Sequence, residues 1–151
     1  MICAYDRVYL AQARETLGAM LDYAVWDCKL SADEYFALFV TSGLADRFGR
    51  GDPKLVSGMS GVEIAWETFA RTHYTEERPR PRYNLNRSKD YWVGWALAHC
   101  QWATSLSFRE LTRMSLHRGW RVFIRLIMSA MYRLLWRKSS TCIGQGRKKR
   151  I

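Results

Sequence analysis

The last 41 residues of this 151-residue chain contain no acidic side chain. All 14 Asp and Glu residues lie at or before Glu110, where 13 Lys and Arg residues nearly balance them, and the other 11 basic residues fall in 111–151. The net charge of +10 therefore belongs to the C-terminal part of the chain. We expect two parts: a helical domain of mixed charge, 1–113, and a basic, aromatic-rich tail, 114–151.

Chain-breaking residues are also scarce, with 10 Gly and three Pro in the whole sequence. This scarcity favours long helices, and 48% hydrophobic residues suit a globular core. The four cysteines, Cys3, Cys28, Cys100 and Cys142, lie far apart and form no CxxC pair. That spacing argues against a zinc site or a disulfide framework, and we expect free thiols in a cytoplasmic protein.

Long uncharged apolar runs are missing as well. The N-terminus acquires charges within its first turn or two, unlike a signal peptide. No stretch of about 18 apolar residues predicts a membrane span. The nearest candidate, 116–136, is interrupted by four arginines, so any membrane contact is expected to be peripheral.

Helical periodicity is what the sequence does contain. Apolar residues recur at spacings of three and four in segments that we predict to be helical: 6–28, 32–48, 62–73 and a segment opening near Asp90. Ser42-Gly43 is expected to bend the second helix. Strand-like alternation is missing, which favours an all-α fold of about four to five helices plus a cationic C-terminal helix.

Three Ser-x-x-Glu pairs precede periodic segments: Ser31 with Glu34, Ser60 with Glu63, and Ser107 with Glu110. In such a capping box the hydroxyl and the carboxylate each satisfy a free backbone N–H at a helix start. The third pair predicts a short helix after Ser107. Residues 75–89 have no periodicity and are expected to form an exposed loop, where a partner would bind.

No residue pattern predicts catalysis. The helical spacing of Trp92, Trp95 and Trp102 indicates core packing rather than base stacking or ligand binding. His99, on the same face, has no second ligand at a useful spacing and is interpreted as a satisfied core histidine. The glycine-rich segment 57–61 lacks a P-loop ending and is interpreted as a helix start. We predict no catalytic residue, no cofactor and no metal, in a protein that is not an enzyme.

Four acidic residues in the first two predicted helices are not expected to be catalytic either. Asp22, Asp27, Asp33 and Glu34 fall on different helix faces or at a helix start. Solvated or capping roles explain them more simply than acid–base chemistry does.

The basic tail is the strongest functional pattern. In a helix its arginines would share one face and apolar residues would cover the rest, as in helices that lie on membranes or bind in grooves. A polybasic end adds affinity for anionic lipid or nucleic acid. The residues expected to make these contacts are Arg118, Arg121, Arg125, Arg133, Arg137, Lys138, Arg147, Lys148, Lys149 and Arg150.

Residues 5–113 resemble a family of small bacterial helical proteins. The resemblance is carried by LDYAVWD (21–27), LSADEYFALFVTSGLADRFGRGDPKLVSGMSGVEIA (30–65) and DYWVGWALAHCQW (90–102). It implies a compact helical protein of the kind often encoded beside predicted ADP-ribosyltransferase-like toxins and small companion proteins. The implied role is a non-catalytic accessory protein of a toxin–antitoxin-like or mobile-element locus, with the toxin or its companion as partner. The resemblance assigns a role to no individual residue.

The resemblance ends near Arg113. Family members continue with a segment of the type LYPxYHEADxS and an acidic closing helix, and this chain has neither. When codons are re-read from the last base of one triplet and the first two of the next, permissible codons for 120–133 encode AxLYPxYHExDVS. We therefore hypothesise a frameshift between about Arg109 and Gly119. The alternative is a cationic tail that was selected as protein.

Overall fold

The computed structural model describes residues 3–82 and 85–118, together with the single positions 125 and 129. These residues form seven α-helices: α1 (Leu10–Asp22), α2 (Ala32–Thr41), α3 (Leu44–Gly49), α4 (Pro53–Val56), α5 (Gly61–Arg71), α6 (Lys89–Thr104) and α7 (Phe108–Arg118). No strand occurs among the described residues, and the all-α prediction is confirmed. None of the helices found there is long and apolar enough to cross a membrane.

The first predicted helix is present, but only its middle part is α-helical. A 3₁₀ turn, Arg7–Tyr9, precedes α1, and the Asp6 carboxylate caps it by accepting from the Val8 N–H at 2.9 Å. After α1 the backbone widens into a π-helical turn, Tyr23–Asp27. Apolar spacing does not distinguish these helix types, although π-helical turns are frequent at functional sites.

All three predicted capping boxes form. At the start of α2 the Ser31 hydroxyl accepts from the Glu34 N–H at 3.2 Å, while the Glu34 carboxylate accepts from the Ser31 N–H at 2.8 Å. The same reciprocal bonds begin α5 at Ser60 and α7 at Ser107. Three helix starts thus follow directly from local sequence.

The predicted second helix is divided rather than bent. Gly43 has φ 76°, in the left-handed region, which interrupts a right-handed helix between α2 and α3. The turn predicted after α3 contains a further short helix, α4, which Asp52 caps by accepting from the Lys54 N–H at 3.0 Å. Proline at the first position of α4 suits a helix start.

Close helix crossings place α1 at the centre, packed against α4, α5 and α6. Gly94 of α6 lies against the backbone of Leu17, and Gly61 of α5 lies against the backbone of Thr16 and Met20. A methyl group at either glycine would overlap those backbone atoms. Small residues therefore determine which faces of α5 and α6 meet α1.

An aromatic cluster joins α2, α3 and α7. The ring centroid of Phe108 lies 5.8 Å from that of Phe39 and 5.9 Å from that of Phe48, and all three side chains are buried. Leu111, one turn further along α7, is buried as well. The start of α7 is therefore part of the core.

Candidate functional site

The tryptophan stripe of α6 lies at the edge of the core and not within it. Trp92 is 49% exposed, while Trp95 and Trp102 are half-buried. The prediction that these indoles pack in the core is therefore wrong for Trp92 and only partly met by the other two. The physical reason is the close α1–α6 crossing, which accepts Gly94 but has no room for an indole.

Four rings form a continuous row along α6, called here the aromatic ladder: Trp92, Trp95, His99 and Trp102. Successive ring centroids are 6.2, 6.2 and 5.8 Å apart. The Trp95 and His99 rings are stacked, with 13° between their planes, and the other two pairs meet edge to face. Aromatic pairs of this geometry hold one another in place, so the ladder is a pre-formed surface.

Arg14 of α1 lies over the ladder. Its guanidinium carbon is 4.3 Å from the Trp95 ring centroid, a cation–π contact. Its Nη1 is 3.4 Å from Nδ1 of His99, so donation by the guanidinium places the imidazole proton on Nε2. Burial lowers the pKa of Arg14 from its ordinary value, but the side chain remains cationic at neutral pH because that ordinary value is so high.

Two polar atoms beside the ladder are buried and, among the described residues, have no hydrogen-bond partner: Nε of Arg14 and the hydroxyl oxygen of Tyr5. Burial raises the pKa of Tyr5 to about 12, so the hydroxyl keeps its proton at neutral pH. Both groups are donors, and one carries a positive charge. A carboxylate or phosphate oxygen is the complementary acceptor.

The N-terminal segment is attached to the same helix. Trp102 donates its indole N–H to the Tyr5 carbonyl at 2.7 Å. In the other direction, the Ala4 N–H donates to the Trp102 carbonyl at 2.9 Å. These two bonds position Tyr5 at the C-terminal end of the ladder.

Sequence reasoning did not identify Arg14 or Tyr5 as site residues. One available indication is that Arg14 lies four residues after Leu10 and three before Leu17, inside the apolar stripe of α1. No local pattern marks Tyr5, because its bond to Trp102 joins residues 97 positions apart.

A second polar cleft, of about 200 Å³, lies beneath the connection between α5 and α6, and we call it the loop cleft. Tyr23, in the π-helical turn, donates its hydroxyl to the Pro79 carbonyl at 2.7 Å and accepts from the Trp66 indole N–H at 2.9 Å. The irregular connection predicted at 75–89 is confirmed where it is described, and Tyr23 fastens it to the helices. Lys89 already belongs to α6.

Two carboxylates that were interpreted as solvated line the loop cleft. The Asp27 side chain is only 9% exposed, and its Oδ1 is 3.8 Å from Nε of Arg82. Asp22 accepts a hydrogen bond from the Ser88 hydroxyl. The solvated interpretation is therefore wrong for Asp27, because the connection folds over it.

Two of the ten predicted tail contacts fall within the described residues. Arg118 is the last residue of α7, and Arg125 is helical and exposed. The others lie outside the described residues: Arg121, Arg133, Arg137, Lys138, Arg147, Lys148, Lys149 and Arg150. Binding of anions by the tail stays a prediction.

Three of the four cysteines lie within the described residues. Cys3, Cys28 and Cys100 are free thiols, as predicted, whereas Cys142 lies outside the described residues. Burial raises the pKa of the Cys28 and Cys100 thiols, which disfavours their reactive thiolate form. In the part of the chain that the structure describes, no group of three or more His, Cys, Asp or Glu is placed to hold a metal ion.

No family model, no curated protein sequence and no solved structure matches the chain. The fold and the site define an all-helical domain with an aromatic and cationic surface.

Proposed function

We propose that this protein is a non-catalytic interaction protein that binds an acidic segment of a partner through the aromatic ladder and Arg14. The observation that carries the proposal is the Arg14 guanidinium held over a row of half-exposed indoles. A partner carboxylate would pair with the partly exposed Arg14 side chain, and apolar partner atoms would cover Trp92. Trp, Tyr and Arg are the residues in which interface energy concentrates.

The chemistry of His99 also favours binding over catalysis. Its ring is stacked on Trp95 and lies beside the Arg14 guanidinium. One face of the imidazole and its Nδ1 are therefore already engaged by neighbouring side chains. His99 is better suited to hold Arg14 in place than to move protons.

The proposed partner belongs to the same genetic locus. The resemblance of residues 5–113 to proteins encoded beside predicted ADP-ribosyltransferase-like toxins supports the toxin or its small companion as that partner. The protein would then be the accessory component of a toxin–antitoxin-like or mobile-element locus.

Co-expression with each neighbouring gene product, followed by purification and titration calorimetry, tests this proposal. Arg14→Met keeps an unbranched apolar stem but removes the charge and the donors, so we expect the Kd to rise at least about tenfold, the effect of one interface hot spot. Trp92→Ala should act in the same direction. Trp26→Ala is the matched control, because this indole is 55% exposed but lies outside the ladder. Repeated failure to find a complex, or equal losses in all three variants, would remove the proposal.

The second candidate function is binding of anionic lipid or nucleic acid through the tail. It is favoured by one observation: residues 111–151 hold 11 basic residues and no acidic one. We expect salt-sensitive binding to anionic vesicles or RNA that disappears when the chain is truncated after Arg113. Binding that survives truncation would exclude the tail as its cause.

A further inference from the structure

The connection between α5 and α6 carries a run of cations that the proposed function does not use. Residues 78–89 contain five basic side chains and no acidic one. All five are exposed: Arg78, Arg80, Arg82, Arg87 and Lys89. In the described part of the chain only Arg82 forms an ion pair, with its Nε 3.8 Å from Oδ1 of Asp27. The charges of the other four are therefore not neutralised by a carboxylate there.

Residues 78–82, called here the Arg-Pro segment, have a stiff and extended backbone. Pro79 and Pro81 fix their own φ angles, and each proline keeps the residue before it out of the helical region. A chain of this kind advances about 3.1 Å per residue, so Arg78 and Arg80 lie about 6 Å apart along it. The cations form a row of separate charges, which suits a chain of anions better than one compact anion.

A partly exposed indole is fixed beside the Arg-Pro segment. Trp66 of α5, 38% exposed, donates its indole N–H to the Tyr23 hydroxyl at 2.9 Å. The same hydroxyl donates to the Pro79 carbonyl at 2.7 Å. Two hydrogen bonds in series thus place the indole close to the peptide group that joins Pro79 to Arg80. Because its N–H is already bonded, Trp66 offers a ligand the face of its ring.

A second indole is fixed near the other end of the connection. Trp26, in the π-helical turn, is 55% exposed, and its N–H donates to the Asp90 carboxylate at 3.0 Å. The exposed Arg87 lies three residues before Asp90 in the chain. Each end of the basic connection is therefore next to an exposed ring whose N–H is bonded within the protein.

Three aspartates lie close to the connection: Asp22, Asp27 and Asp90. Each already has a partner within the protein, respectively the Ser88 hydroxyl, the Arg82 guanidinium and the Trp26 indole N–H. These carboxylates fasten the connection to the helices. The exposed guanidinium groups of Arg78 and Arg80 are left for an anion outside the protein.

We propose that single-stranded nucleic acid binds along the Arg-Pro segment, with phosphates paired to Arg78 and Arg80 and a base stacked on Trp66. Guanidinium groups bind phosphate oxygens through two parallel N–H donors. Proteins that bind single strands combine a row of cations with aromatic rings on which bases stack. A chain of glutamates would satisfy the arginines but would leave the indole faces uncovered. The surface extends to Trp26 and Arg87 and is separate from the ladder and the tail.

The test titrates the ¹⁵N-labelled full-length chain with a single strand of about eight uridines, a length within the usual range of such sites. The indole N–H signals of Trp26 and Trp66 are identified by their loss in the Trp26→Phe and Trp66→Phe variants. We expect both signals to shift saturably, which binding to the tail alone would not cause. The comparison probes are an RNA duplex of the same length, polyglutamate, and vesicles containing phosphatidylserine. No shift of the Trp66 signal, or an equal shift with any comparison probe, would overturn the proposal.

Variants locate the binding, with the Kd measured from the Trp26 signal. Arg78→Gln combined with Arg80→Gln should raise the Kd about tenfold and weaken its dependence on salt, because two phosphate contacts are lost. The matched control, Arg7→Gln combined with Arg109→Gln, removes the same charge from exposed positions elsewhere and should change neither. Trp66→Ala should raise the Kd at least about fivefold. If that variant does not fold, the arginine variants decide: equal effects in the two pairs contradict the site.

Discussion

Gly94 and Gly43 are both glycines for physical reasons, but the reasons differ. Gly94 packs against the backbone of Leu17, whereas Gly43 has φ 76° and no atom within 4 Å of the position that a Cβ would take. The first position restricts space and the second restricts backbone conformation. Alanine substitutions should therefore separate the two effects.

We expect Gly94→Ala to lower the free energy of unfolding by about 3 kcal/mol, because α6 must move away from α1. Gly43→Ala should cost only about 1 kcal/mol, the strain of a left-handed residue. Urea denaturation of both variants measures the difference. A larger loss at Gly43 would mean that the α1–α6 crossing is not tightly packed.

Substitution of Tyr5 tests whether its buried hydroxyl costs the fold stability. Tyr5→Phe removes a buried hydroxyl that has no partner among the described residues. The variant should be equally stable or up to about 1 kcal/mol more stable, since a buried polar group is replaced by an apolar one of the same shape.

Because the hydroxyl is buried, the same variant should bind the partner with unchanged affinity. Thermal unfolding and calorimetry on one preparation give both values. Weaker binding without a loss of stability would contradict this and place the hydroxyl in the interface.

At the scale of helices, the capping boxes make the fold sensitive to acid. Hydrogen bonds from the serine backbone N–H and hydroxyl lower the pKa of Glu34, Glu63 and Glu110. Because the pKa is lower in the folded state, the ionised carboxylate stabilises the fold at pH values above the pKa that it has in the unfolded chain, about 4.3. This stabilisation is lost as the pH falls through the folded pKa.

We expect the melting temperature to fall steadily as the pH is lowered below about 5. The triple variant E34Q/E63Q/E110Q keeps neutral capping bonds and should show a shallower slope. Asp52, bonded to Arg47, and Glu67, bonded to Arg71, should retain part of the slope, since the pKa of each is also lowered. Identical slopes in both proteins would contradict the contribution of the boxes.

The limits of the sequence-based predictions are also clearest for helices. Capping boxes were predictable because their bonds join residues three positions apart. Periodicity showed that the tryptophans of α6 share a face but did not say which face meets α1. The face of α6 that carries Gly94 meets α1, because a residue without a side chain lets the two helix backbones approach closely. The contact of Arg14 with His99 spans 85 positions and has no local pattern.

For the whole molecule, the change from mixed to purely basic charge falls within α7. That helix begins with Phe108 and Leu111 in the core and continues to Arg118, beyond the last acidic residue. The proposed frameshift would therefore leave the start of α7 intact and replace the residues on its C-terminal side.

Independent sequencing of the gene across codons 105–151, translated in three frames, tests the frameshift hypothesis. We expect an open alternative frame that encodes the LYPxYHE-type ending. In that case the predicted binding of anionic lipid or nucleic acid by the tail would be withdrawn. A closed alternative frame would make the cationic tail a genuine product and would move lipid and RNA binding ahead of the first candidate function.

The bond between Trp102 and Tyr5 has a consequence for biosynthesis. The chain is made from its N-terminus, so Tyr5 leaves the ribosome long before the indole that holds it is translated. The proposed binding surface is completed only when α6 has emerged, although Arg14 and Tyr5 are among the first residues made. A nascent chain shorter than about a hundred residues would therefore not yet bind the partner. Only a nearly complete chain would do so.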